Sequence, residues 1–63
     1  MNIALNLNTP FETLFELSKS TNPSVRYNVA VNSNTPPEVL IALSRDYEYS
    51  IRIAAQENEN YPQ

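Results

Sequence analysis

One interval, 26 residues, constrains what this chain can fold into more than any other feature. Asn8-Thr9-Pro10 recurs as Asn34-Thr35-Pro36, and an altered third copy stands at Asn60-Tyr61-Pro62. Residues 8–33 align with 34–59 without a gap. Ten positions are identical, carried in the first copy by Asn8, Thr9, Pro10, Glu12, Leu14, Leu17, Ser18, Ser24, Arg26 and Asn32. Lys19/Arg45, Val25/Ile51 and Phe15/Ile41 are conservative pairs. Asn2-Ile3-Ala4-Leu5-Asn6 falls in the same register as Asn28-Val29-Ala30-Val31-Asn32. The chain therefore divides into a partial repeat at 1–7, repeats at 8–33 and 34–59, and the start of a further one at 60–63. A fixed period of this length marks an architecture in which each unit buries its apolar face against the next.

Each copy reads as two short segments. The first opens with Thr-Pro-x-Glu, as Thr9-Pro10-Phe11-Glu12 and Thr35-Pro36-Pro37-Glu38. That order predicts a helix start, with Thr as the N-cap, Pro at the first helical position and Glu bonding back to the cap. Leu14 and Leu17, then Leu40 and Leu43, continue at helical spacing. Helices are expected from about Pro10 to Lys19 and from Pro36 to Arg45. The second segment is ambiguous. Val25 to Val31 alternates like a strand, as does Ile3 to Leu7, which suggests a strand-plus-helix repeat. Its equivalent, Ile51 to Glu57, reads as a helix, and Asn22-Pro23 supplies a cap and a first-turn proline. Helix is favoured, and an all-α fold of about two and a half repeats follows.

The missing residue types are informative. There is no glycine, so turns needing a positive φ must use asparagine, of which the chain has nine. Asn32 and Asn58, at the ends of the second segments, are expected to be such left-handed caps. Glycine-rich phosphate cradles are excluded. Without cysteine or histidine there is no thiolate cofactor site, and no ordinary general base for neutral pH. Neither a cofactor nor enzyme activity is expected. The net charge of −3 argues against a nucleic-acid partner. No apolar run approaches the roughly 20 residues of a membrane span. The opening residues lack the basic region of a signal peptide, so a cytoplasmic location is expected.

The stretch Asn34-Thr35-Pro36-Pro37-Glu38-Val39-Leu40-Ile41-Ala42-Leu43-Ser44, followed by Ser50-Ile51-Arg52-Ile53-Ala54-Ala55, resembles the leucine-rich repeat variant. So does Asn8-Thr9-Pro10 through Leu17-Ser18, with Val25-Arg26 and Val29-Ala30. The resemblance covers essentially the whole chain. It implies a short right-handed α-solenoid of alternating α- and 3₁₀-type helices. Some members carry an iron–sulfur cluster in a separate cysteine-rich segment, which this sequence lacks. It departs from the family in the turn Asp46-Tyr47-Glu48-Tyr49, where a proline turn is the pattern, and in its very low repeat number.

The reading is a non-enzymatic module for protein–protein interaction, with a self-assembling repeat unit as the alternative. Arg26 and Arg52 share one repeat position. They form either a ladder that grips an acidic partner or salt bridges to acids on neighbouring helices. Tyr27, Tyr47 and Tyr49 join them as protein-binding candidates, because Tyr and Arg are enriched at binding hot spots. Tyr47 and Tyr49 stand where the first copy has Thr21 and Pro23, so the repeat itself does not require them. Glu12 and Glu38 are assigned to capping, Ser18-Lys19-Ser20 to a helix end, and Glu57 with Glu59 to a solvated face rather than a cation site. The two ends of the array differ. Ala30, Val31 and Ser33 become Gln56, Glu57 and Glu59 toward the C-terminus but Ala4, Leu5 and Leu7 toward the N-terminus. Self-association as a homodimer through Ile3, Leu5, Leu7 and Phe11 is therefore expected.

Overall fold

The computed structural model describes residues 11–62. These hold four helices and no strand: α1 (Phe11–Leu17), α2 (Pro23–Val31), α3 (Pro37–Leu43) and α4 (Tyr49–Glu57). Residues 25–31, ambiguous in sequence, are helical. The alternating pattern would have put Val25, Tyr27, Val29 and Val31 on one face. Instead α2 buries Arg26, Val29 and Ala30, three and four positions apart, and leaves Tyr27 and Val31 exposed.

The start of α2 has a local cause. Asn22 is extended at φ −86° and ψ 114°, and its side-chain oxygen accepts the Ser24 N–H at 2.9 Å. Pro23 fills the first turn, where a missing N–H costs nothing. The start of α3 differs from expectation. Thr35 is not its cap, Pro36 is not its first residue, and Glu38 forms no capping box. Pro36 stands at the cap position with φ −76° and ψ 162°, and no side chain caps the helix. The cause is Pro37, which forces the residue before it into extended backbone and delays the helix by one position. Thr35 is fully buried, and its hydroxyl donates to the Val29 carbonyl of α2 at 2.6 Å. Thr9 and Pro10 lie outside the described residues.

The helix ends also depart from expectation. Asn32 and Asn58 are not left-handed but extended, at ψ 129° and 136°. No described residue has a positive φ. Each asparagine instead folds its side-chain oxygen onto the N–H two residues on. Asn32 accepts from Asn34 at 2.7 Å and Asn58 from Asn60 at 2.9 Å. The left-handed turns that a glycine-free, asparagine-rich sequence predicts are replaced by side-chain-closed turns.

The core gathers Leu14, Val29, Ala30, Val39, Leu40, Leu43, Ile51 and Ala55, with Leu17, Ala54 and Tyr61 packed against it. Leu14 and Leu40 are repeat equivalents, as are Val29 and Ala55. α2 packs chiefly against α4, α3 against α4, and α1 against α2. Asparagine amides join the turns that follow α2 and α4. The Asn58 amide donates to the Ala30 and Asn32 carbonyls, both at 2.9 Å. The Asn60 amide donates to the Ser33 and Thr35 carbonyls at 2.8 and 3.0 Å.

Urea melts should separate these roles. Leu40→Ala should cost about 2–5 kcal/mol, because it empties the centre of a small core. Glu38→Ala should stay within about 0.5 kcal/mol, as expected of a surface residue that caps nothing. A cost well above 1 kcal/mol for Glu38→Ala would restore the capping box.

Candidate functional site

The site is built around Asp46, in the turn between α3 and α4. Its Oδ1 accepts the Glu48 N–H at 2.9 Å, which closes the turn that leads into α4. The first copy does the same with a hydroxyl: Ser20 Oγ accepts the Asn22 N–H at 3.1 Å. Asp46 adds a charge to this local role. Arg26, on α2 in the other copy, donates from Nε to Asp46 Oδ2 at 2.7 Å and from Nη2 to Oδ1 at 3.3 Å. Its Nη1 donates to the Ser20 carbonyl at 2.8 Å. The Arg26 and Asp46 side chains are only 7% and 8% exposed. All three donor groups of the guanidinium's fork are therefore used, as a buried cation requires.

The electrostatics follow the geometry. The hydrogen bond to Asp46 raises the Arg26 pKa, and burial opposes it without reversing the direction. For Asp46, burial pushes the carboxyl up. The Arg26 hydrogen bond, the Glu48 N–H and the charges of Arg26 and Arg52 together outweigh it, and the pKa lies below the ordinary 3.8.

Arg52, on α4, repeats part of this pattern. Its Nη1 donates to the Asp46 carbonyl at 2.9 Å, the same six-residue step that Arg26 makes to Ser20. Two tyrosines flank the arginines. Tyr47 stands over the Arg26 guanidinium at 5.1 Å and Tyr49 over that of Arg52 at 5.5 Å. The tyrosines are 78% and 68% exposed. The turn 46–49 thus gathers the four residues, with Tyr47 and Tyr49 exposed, Arg52 half-buried and Arg26 buried beneath Tyr47.

The other candidates lie elsewhere. Tyr27 lines a separate shallow groove of about 470 Å³ with Val31, Ser33, Ala54, Glu57, Asn58 and Glu59. Phe11 is half-exposed and stacks on Phe15 at 6.1 Å, and Lys19 Nζ stands 4.1 Å from the centre of the Phe15 ring. Ile3, Leu5 and Leu7 lie outside the described residues. Among the described residues no group of acids converges as a metal site, and no helix is long and apolar enough to cross a membrane. The sequence reading missed Asp46 as the centre of the site. The signal was available, since a serine in one copy faces a charged residue in the other, but nothing local joins Asp46 to an arginine 20 residues before it. No family model, curated protein or solved structure matches this chain.

Asp46→Asn should destabilise the fold by about 1–3 kcal/mol, because it leaves Arg26 with a weakened partner in a buried place. A carboxyl whose pKa is lowered by folding contributes stability that is present above its unfolded pKa and lost as pH falls through the folded one. Wild-type stability should therefore drop on acidification below about pH 4. The Asp46→Asn variant should show a shallower drop over the same range. Parallel curves from denaturant melts at a series of acid pH values would show that the ion pair does not carry the acid sensitivity.

Proposed function

We propose that this chain is a non-enzymatic protein-binding module, a short solenoid of the leucine-rich repeat variant kind that presents Tyr47, Tyr49 and Arg52 to a partner protein, with buried Arg26 supporting Tyr47 from below. The observation that carries the reading is the pair of exposed rings, Tyr47 and Tyr49, each set over an arginine by one turn. Leaving two large aromatic residues in water contributes nothing to the core, and the first copy places Thr21 and Pro23 at the same positions. Tyrosine and arginine fixed in place lose little side-chain freedom on binding, which suits them to carry most of an interface's energy. This surface needs neither a cofactor nor a catalytic group.

A second reading is self-association. It is favoured by Phe11 and Phe15, a stacked aromatic pair that is about half-exposed on α1. Such a homodimer would use Phe11 together with Ile3, Leu5 and Leu7.

The two readings separate in one experiment. The immobilised chain is incubated with an extract of the cells that express it, beside a Tyr47→Ala/Tyr49→Ala variant whose helical spectrum is unchanged. The binding reading expects a protein held by the wild type and held about thirtyfold more weakly by the variant, the loss typical of an aromatic hot spot. Equal retention by both proteins overturns it. In sedimentation, a dimer that survives the tyrosine changes and is lost in Phe11→Ser supports self-association.

A further inference from the structure

Arg26 and Arg52 occupy one repeat position and share one anchor: each gives Nη1 to the carbonyl six residues before it. Their rings come from different places, since Tyr47 over Arg26 belongs to the following copy, whereas Tyr49 over Arg52 is three residues before it in its own helix. Arg26 then gives its Nε–Nη2 edge to the Asp46 carboxylate, while Tyr47, the next residue of the same turn, covers its face. Arg52 pairs with no carboxylate among the described residues. Its guanidinium is held by one backbone bond and one ring, and the edge that recognises a carboxylate two-pronged is left over. A guanidinium fixed in this way reads carboxylates with little further ordering cost.

We propose that Arg52 is the docking point for a partner polypeptide bearing an aspartate followed by an aromatic residue in a turn that enters a helix. The chain's own Arg26 shows the mode. The carboxylate takes the Nε–Nη2 edge, and the partner's adjacent ring covers the face of the guanidinium that Tyr49 leaves open. A second copy stacked unit on unit does not fit this role. At the place of Asp46-Tyr47 its first repeat carries Ser20-Thr21, which has neither carboxylate nor ring, and its own Asp46 already holds Arg26. The inference rests on the protein-binding reading and names the chemistry of the partner.

The chain has three arginines, so three side-chain Nε–H signals report on them separately in nitrogen-15 NMR. The probe is a capped peptide Asp-Tyr-Glu-Tyr-Ser-Ile, the chain's own residues 46–51, added to the full-length protein. A saturable shift of the Arg52 signal alone is expected. The peptide with Asn in place of Asp should bind roughly tenfold more weakly, as for loss of a charged hydrogen-bond pair. Arg52→Lys, which keeps the charge and loses the fork, should weaken the Asp peptide to a similar degree. An unmoved Arg52 signal, or equal binding of the Asp and Asn peptides, overturns the proposal. So does an Arg52 signal that moves with protein concentration alone, since a second copy is then the occupant. Failure here, with tyrosine-dependent retention intact, would remove the Arg52 assignment and leave the protein-binding reading standing. A selective Arg52 shift without tyrosine-dependent retention would keep Arg52 as the docking point and remove Tyr47 and Tyr49 from the binding surface.

Discussion

The structure turns on placing a charged pair, Arg26 and Asp46, where water is largely excluded. Desolvating two ions is unfavourable unless every donor and acceptor is matched. Here Nε and Nη2 meet the carboxylate, Nη1 meets the Ser20 carbonyl, and Oδ1 is shared with the Glu48 N–H. That set couples three segments: α2, the turn before α2 and the turn before α4. The same aspartate shapes its own turn and ties it to the other copy. Among the described residues, eight buried apolar side chains pack the helices together without directional preference. The directional bonds of this cluster determine which face of α4, and hence which residues of the 46–49 turn, meets α2.

The local signals were legible because they act within four or five residues. Asn22-Pro23 begins a helix, and Leu14, Leu17, Leu40 and Leu43 lie on core-facing stripes. What could not be read is what two signals do when they compete. Thr35-Pro36 looks like a cap followed by a first turn until Pro37 imposes extended backbone on Pro36. Thr35 then serves the core by bonding to Val29, six residues back. Asparagine in a chain without glycine suggests positive φ, yet Asn32 and Asn58 satisfy their turns through side-chain oxygens.

The site was legible by residue type and not by arrangement. Arg26, Arg52, Tyr47 and Tyr49 stand out as repeat positions or departures from the repeat, and the structure groups them. Tyr27 is adjacent to Arg26 in sequence, but one helical step turns it about 100° away, into the groove with Ala54 and Glu57. Asp46 was hidden for the opposite reason. Its partner is close only after both helix pairs have formed, and a pairing across 20 residues leaves no pattern in either neighbourhood.

The asparagine amides that join the copies have a consequence for how such a chain can change. Asn58 and Asn60 hold the carbonyls of residues 30, 32, 33 and 35, groups that every amino acid supplies. The joint therefore reads backbone and ignores the side chains on the receiving side. Substitutions at the exposed Ser33 can alter the surface while the amide bonds at the joint keep their acceptors. Because donor and acceptor recur at one interval, a duplication or deletion of a whole 26-residue unit would recreate the same joint. Length and surface are thus free to drift separately, with the two amides keeping the register.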